Sequence, residues 1–344
     1  MRAIQIDRYG GTEVLQERDI PVPQPGPRDV RVKIAYSGIN FMDVYTRLGR
    51  YAGSGAKSGH YQAGLPLTLG IEGAGHIDAI GAEVVDWRIG DRVAYALARG
   101  SYADYAVVPA WQLARVPDSI ELDLAAAAMF QGLTAHYLAF DIGSLGSDRS
   151  CLVHAGSGGI GQLLIQLAKS TGAKVVATTS TPEKAAVARR CGADVVAGYA
   201  NDEYVDAVKD LSGGAGVDVV FDSVGAATFQ GSMRALKRKG LLILYGANSG
   251  LPEINPMELA DNGSLFFTRP RLADYVADAD AVKRRAQRIF EGLADNSLQV
   301  AIARVYDFGG VTDAHRALEE RRSIGKSILR VDSSTRQRIV AKSA

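Results

Sequence analysis

The stretch from His154 to Ala185 reads HAGSGGIGQLLIQLAKSTGAKVVATTSTPEKA. Within it, Gly156-x-Gly158-x-x-Gly161 follows an apolar run, SCLVHA, and opens a helical pattern, IGQLLIQLAKS. That context turns a common glycine spacing into a specific signal for a dinucleotide-binding turn. Gly156 allows the tight turn, Gly158 lets the backbone approach a pyrophosphate, and Gly161 lets helix and strand pack closely. The helix N-terminus offers unpaired N–H groups and a positive dipole end to the phosphates. In such turns an acid about 20 residues further on takes the ribose 2′-hydroxyl of NAD. Here the strand tip reads Thr178, Thr179, Ser180, and the nearby acid is Glu183. An acid would repel a 2′-phosphate, whereas hydroxyls and a cation accept one. Ser180 and Lys184 stand where such a group would sit, so the expected cofactor is NADP(H).

Other reactive side chains read as structural. Cys151 and Cys191 are too few for a disulfide framework, and Cys151 opens an apolar strand as a small buried hydrophobe. His154 reads as a satisfied structural histidine, and His60 as an exposed loop residue. Asp222 ends VDVVFDSV at the carboxyl edge of a strand, where ligands bind in open sheets; a cap for the following helix is the favoured role. Lys237-Arg238-Lys239 and Lys283-Arg284-Arg285 read as solvated helix faces. With a net charge of +1 no global field favours a polyanion.

Two architectures are needed to position these residues, and 344 residues suffice for two domains. A composition of 47% hydrophobic and 22% charged residues is that of a globular protein. No apolar run reaches the roughly 18 residues of a membrane span, and the start, MRAIQIDRYGG, reads as a first strand rather than a signal segment. A cytoplasmic protein is expected. The first 120 residues or so alternate in short strands, DVRVKIAYSGI, GHIDAIG and DRVAYAL, punctuated by glycine and proline. The glycine-rich stretch 52–66, AGSGAKSGHYQAGLP, reads as a loop of the kind that borders a site. From about residue 121, ELDLAAAAMFQGLTAHYLAF predicts a helix. Strands and helices then alternate through SCLVHA, KVVATT, PEKAAVARRC, DVVAGY, DEYVDAVKDL, VDVVFDSV, ATFQGSMRALKRK and GLLILYG. This predicts βαβ units and a doubly wound parallel sheet. After about residue 262 the alternation stops, and a helix over 272–294 and short strands follow.

A β-rich part, an inserted Rossmann segment and a return to the β-rich part resemble the medium-chain dehydrogenase/reductase superfamily over nearly all of residues 1–330. The zinc alcohol dehydrogenases of that superfamily carry G-I-C-G-x-D, G-H-E-x-x-G and C-G-x-S/T. This chain has Gly38-Ile39-Asn40-Phe41-Met42-Asp43, Gly70-Ile71-Glu72-Gly73-Ala74-Gly75 and Gln131-Gly132-Leu133-Thr134. Asn40, Ile71 and Gln131 stand where the zinc ligands would be, and all are poor ligands. The four-cysteine structural zinc lobe is absent too. No bound metal is expected, and without a Lewis acid the reduction of an already electrophilic acceptor is favoured over alcohol–ketone interconversion.

SGINFMDVYTRLGRY, GLTAHYL, HAGSGGIGQ, FDSVG, NGSLFFTRP and RRSIGKSIL carry a closer resemblance to the quinone oxidoreductase, zeta-crystallin-like branch. It implies an α/β chain of two domains with an interdomain cleft. One is a discontinuous GroES-like catalytic domain, residues 1–125 and 263–331. The other is a Rossmann NADP(H)-binding domain, 126–262, and residues 332–344 form a tail. It further implies NADPH with its nicotinamide near Asn40, Phe41, Asp43, Tyr45 and Tyr51 on one side and Gln131, Thr134 and Tyr137 on the other. Gly159 and Ile160 would meet the pyrophosphate. Ser180, Lys184, Tyr199 and Arg321 would hold the 2′-phosphate and adenine end, and Asn248, Phe267 and Thr268 would close over the cofactor. Asn40, Asp43 and Tyr51 are the catalytic candidates, Tyr51 more as a wall than as a proton donor. The implied activity is reduction of quinones by NADPH, in a homodimer paired along the sheet edge near GLLILYG and GSLFFTRP. Reduction of activated alkenes such as enals is the rival activity. A protein that binds NADPH or RNA without strong turnover is the rival of another class.

Overall fold

The protein is described by a computed structural model that covers residues 1–52, 64–320 and 323–332. Its backbone divides into two compact units, Met1–Leu133 with Val276–Ala344, and Thr134–Tyr275. No helix among the described residues is long and apolar enough to cross a membrane.

The first unit begins with β1 (Arg2–Ile6), β2 (Gln16–Asp19), β3 (Asp29–Gly38), α1 (Phe41–Arg47), β4 (Leu67–Thr68), β5 (Glu72–Ile80), β6 (Arg92–Ala96), β7 (Tyr105–Pro109), β8 (Leu113–Arg115) and α2 (Leu122–His136). β1 pairs antiparallel with β2 and β4. β3 is the hub of the larger sheet, antiparallel to both β5 and β7. Its sequence explains this: Val30, Val32 and Ile34 alternate into the core, and from Ala35 to Gly38 every residue is buried. Those core residues pack with Ile77, Val93, Tyr95 and Val108, a period-2 pattern that sets the register because a one-residue slip would turn it outward.

The second unit holds β9 (Ser150–Val153), α3 (Gly159–Ser170), β10 (Lys174–Thr178), α4 (Pro182–Arg190), β11 (Val195–Ala197), α5 (Glu203–Ser212), β12 (Val217–Asp222), α6 (Phe229–Ala235), β13 (Leu236–Leu244), α7 (Pro256–Asp261), β14 (Phe266–Thr268) and α8 (Leu272–Tyr275). Its six strands are parallel in the order β11-β10-β9-β12-β13-β14. This is the doubly wound arrangement, with a switch point between β9 and β12 where ligands bind at the strand ends. All six residues of β12 are buried, as expected of a strand covered on both faces. The chain returns to the first unit through α9 (Ala279–Ala294), β15 (Ile302–Asp307), α10 (Val311–Glu319) and β16 (Lys326–Arg330). β16 pairs antiparallel with the end of β3, Ile328 opposite Gly38.

Several boundaries differ from the sequence reading. The helical pattern over ATFQGSMRALKRK stops at Ala235, and Leu236–Lys239 already belong to β13. Lys237 pairs with Asp218 of the neighbouring strand and Lys239 takes a left-handed turn, φ 59°. That basic cluster is therefore on a strand, not a helix face. In the other, Lys283 and Arg284 are exposed but Arg285 is buried and donates to the Ala281 carbonyl. The helix expected over 272–294 breaks after Tyr275, because the Asp278 side chain accepts the Ala281 N–H and caps a new helix, α9. The parallel sheet runs on past residue 262 through β14, whose three residues are too short for a periodic signal. The expected helix through Phe140 turns π-helical over Tyr137–Ile142.

Candidate active site

In the second unit the glycine turn and the tip of β10 come together. Gly158 caps α3 in an extended conformation. The left-handed residue of the turn is Ala155, φ 53°, rather than Gly156. Gly156 is needed for close approach: its N–H donates to the Thr178 carbonyl at 2.9 Å, and a Cβ there would lie 2.9 Å from that of Ala177. A Cβ on Gly161 would collide with the Ala155 carbonyl oxygen. Behind the turn, Leu163, Leu164 and Leu167 of α3 are buried, so its N-terminus is fixed by packing. Gly159 and Ile160 form the first helical positions.

The tip of β10 divides its hydroxyls. Thr178 is buried, its Oγ1 2.9 Å from His154 Nδ1, whereas Ser180 is exposed. Thr181 caps α4 by accepting the Lys184 N–H, which turns the lysine back toward the strand. Lys184 Nζ then donates to Ser180 Oγ at 3.3 Å. A hydroxyl and an ammonium thus converge on one spot, while Glu183 is fully exposed. Tyr199 lies beside the glycine turn: its hydroxyl accepts the Ala155 N–H at 2.9 Å and its ring stacks near His154.

His154 is fully buried between Thr178 Oγ1 and Ser232 Oγ, and burial lowers its pKa. Asp222 accepts the N–H groups of Val224 and Gly225 and the hydroxyls of Thr228 and Ser232. Both are therefore internal struts at the switch point; Asp222 braces the turn before α6 and does not cap the helix, whose N-cap is Thr228. Asn248 lies half-buried in the turn after β13 and donates its N–H to the Ser223 carbonyl. Phe267 and Thr268 lie in β14, with Phe267 against Phe229 of α6. Thr134 is buried, and Tyr137 is buried and stacked on Tyr275 at 4.3 Å. Arg321, most of the loop 52–66 including His60, and nearly all of the tail 332–344 lie outside the described residues.

The first unit gathers Asn40, Asp43 and neighbours that local sequence did not mark. Asn40 caps α1, and Asp43 Oδ2 accepts its N–H at 2.9 Å. Lys326, 1% exposed, donates from Nζ to Asn40 Oδ1 and to Glu72 Oε2, both at 2.6 Å. Asn40 Nδ2 donates to Glu72 Oε2 at 3.0 Å, and Glu72 Oε1 accepts the Phe130 N–H of α2 at 2.5 Å. Next to it, Gln131 carries a buried Oε1 without a hydrogen-bond partner among the described residues.

On the other side of Asp43 a directed chain arrives. The Arg47 guanidinium can only donate, so His315 Nδ1, 3.3 Å away, accepts. His315 Nε2–H then donates to the Tyr102 hydroxyl at 3.2 Å, and Tyr102 donates to Asp43 Oδ2 at 3.2 Å. Burial pushes the Asp43 carboxyl up to about 7, outweighing the Asn40 N–H and Lys326. Burial and Arg47 hold His315 down at about 3. Phe41, Tyr45 and Tyr51 form a half-buried aromatic row with ring centroids 6.0 and 6.3 Å apart, and Arg50 lies over Tyr45.

Among the described residues no group of three or more His, Cys, Asp or Glu side chains converges to hold a metal. The donor set at the three positions named above does not suit zinc. The Asn40 amide oxygen is engaged by an ammonium, Ile71 is a buried hydrocarbon, and Gln131 offers a neutral amide.

Residues 26–118 match the family described as alcohol dehydrogenase GroES-like domain, and 159–294 that described as zinc-binding dehydrogenase. A quinone oxidoreductase of Pseudomonas aeruginosa is 36% identical over 95% of this chain and 99% of its own. A 2-haloacrylate reductase of Burkholderia is 32% identical over 95% of this chain and 98% of its own. The structure of Escherichia coli quinone oxidoreductase complexed with NADPH superposes with a TM-score of 0.90 at 34% identity, covering 96% of this chain and 99% of that one. With both units matched and the likeness running nearly end to end, the chain belongs to the quinone oxidoreductase family of the medium-chain dehydrogenase/reductase superfamily.

Proposed function

We propose that this protein reduces quinones with NADPH, without zinc, as a cytoplasmic homodimer. The observation that carries the cofactor choice is the convergence of Lys184 Nζ and Ser180 Oγ at a strand tip that lacks an acid. We read the unit Thr134–Tyr275 as the NADPH-binding part. Gly156, Gly158, Gly159, Ile160 and Gly161 would receive the pyrophosphate, and Ser180 and Lys184 the 2′-phosphate. The bound cofactor supplies the hydride. The chain's own task is to hold the acceptor, exclude water and orient polar groups, which suits acceptors that need no Lewis acid. The half-buried row Phe41, Tyr45 and Tyr51 is a fitting wall for a flat ring. Asn40 and Asp43, at 4% and 0% exposure, are read as groups that shape the site from beneath. Kinship with the 2-haloacrylate reductase supports activated alkenes as a second acceptor class.

The dimer reading rests on β14. It is the last strand of the sheet, and Phe266 there is 63% exposed. Leu251, Ile254 and Met257, in the segment leading to it, are exposed as well. An open apolar strand edge calls for a partner. Both cysteines are free thiols, which suits a reducing compartment.

The test is turnover of ortho- and para-quinones, enals and no acceptor with NADPH and NADH side by side. NADPH should be preferred at least tenfold, since a charge-assisted bond contributes roughly 1.5–3 kcal/mol. Lys184→Ala should weaken NADPH about tenfold or more and leave NADH nearly unchanged. Equal affinity for both nucleotides in the wild type would overturn the cofactor reading, and absence of quinone turnover would overturn the activity.

A further inference from the structure

Three segments far apart in sequence meet at Lys326. They are the cap of α1 at Asn40, the entry to β5 at Glu72, and the middle of α2 at Phe130. Each is, or directly adjoins, one of the positions at which zinc-dependent members of the superfamily hold their metal: Asn40 itself, Ile71 beside Glu72, and Gln131 beside Phe130. To this cluster the chain brings an ammonium from the opposite end of the sequence, 2.6 Å from both Asn40 Oδ1 and Glu72 Oε2. We propose that Lys326 is a positioning residue for the acceptor site, an internal cross-link that fixes the Asn40 amide and, through Glu72, the Phe130–Gln131 segment.

The contacts define what the lysine does. Nζ bonds to Asn40 Oδ1 and Glu72 Oε2 at 2.6 Å each, so the Asn40 amide has one orientation: reversing it would set N–H groups against an ammonium. Nδ2 is thereby aimed at Glu72. Glu72 carries the link onward, because its second oxygen takes the Phe130 N–H. The pair is neutral overall, so its field fades quickly with distance and it cannot replace a Lewis acid. It acts through geometry. Lys326 reaches this spot because β16 lies along the end of β3, with Ile328 opposite Gly38. The Gln131 Oε1 beside the anchored segment is a buried acceptor without a hydrogen-bond partner among the described residues.

This inference rests on the quinone reductase reading, and the experiment separates the two. Lys326→Met alone leaves Glu72 buried and unpaired, so the informative protein is Lys326→Met/Glu72→Gln, which removes both charges while nearly preserving shape. NADPH affinity is measured directly by fluorescence titration, and kcat and KM for a quinone separately. The double variant should fold, bind NADPH within twofold of the wild type, and lose at least tenfold in kcat/KM for the quinone. Asn40→Ala, which keeps the ion pair, should show the same acceptor-specific loss and serves should the double variant fail to fold. Wild-type kcat/KM in either variant, or an equal fall in NADPH affinity, overturns the proposal. A wild-type protein that turns over no quinone fails the parent reading instead.

Discussion

Two lysines in this molecule each bond to a neighbouring oxygen, and they do opposite work. Lys184 is half-buried in the first turn of α4, with Nζ 3.3 Å from the Ser180 hydroxyl. Lys326 is 1% exposed and closed in by two oxygens at 2.6 Å. The first is placed by a helix cap three residues away, and the proposed 2′-phosphate contact falls to it. The second is placed by a sheet register and belongs to the interior. A cation in water contributes to binding because its partner arrives later, whereas a buried cation must have its partner built in, since unpaired burial is so unfavourable.

Stability is the sharpest way to break this contrast. Lys326→Met should destabilise the fold by about 3–5 kcal/mol by leaving a buried carboxylate uncompensated. Lys184→Ala should change stability by no more than about 0.5 kcal/mol. Urea unfolding of the two variants beside the wild type decides the matter, and comparable losses would show that burial is not the difference.

The interior also predicts a pH response. His315 is held at about 3 in the folded protein, against about 6.5 unfolded. The unfolded chain therefore binds its proton first as pH falls. This contribution is fully present above pH 6.5 and is lost progressively toward pH 3, reaching about 2 kcal/mol at pH 5. Replacing His315 by Gln removes this group while Asp43, raised to about 7, titrates in both proteins, so the stability difference should move in the variant's favour by about 2 kcal/mol between pH 7 and 5. Parallel stability curves would show that His315 is solvated or charged in the fold.

The smallest effect belongs to the aromatic row. Tyr51→Phe should lower quinone turnover by less than tenfold, under about 1.4 kcal/mol of barrier, because the ring serves as a wall. A thousandfold loss at unchanged NADPH affinity would make its hydroxyl the proton donor.

The geometry of the proposed nucleotide end was legible in the sequence because its parts are close together there. Gly156 to Lys184 form one turn–helix–strand–helix run, and the missing acid at the tip of β10 is a one-position observation. The Lys326 cluster was not legible, since Asn40 and Lys326 are 286 residues apart and meet only once β16 is laid beside β3. Asn40 and Asp43 drew attention through motif position, yet their partners Tyr102, His315 and Arg47 carry no local pattern. Elsewhere periodicity erred where short elements meet. Leu236–Lys239 continue a helical pattern but pair as strand, and the Asp278 cap divides an otherwise uninterrupted amphipathic stretch.

Tyr199 has a consequence of an entropic kind. Its hydroxyl and that of Thr178 both receive the N–H of Ala155, a residue with a side chain held at φ 53°. Such a conformation costs a non-glycine residue roughly 1–2 kcal/mol, and here the fold imposes it in advance, from the end of β10 and the loop after β11. On the proposed reading, a nucleotide arriving at Gly156–Gly161 meets a loop whose conformational freedom was already surrendered during folding. Its phosphates need not freeze the backbone, and correspondingly more of their interaction energy remains as affinity.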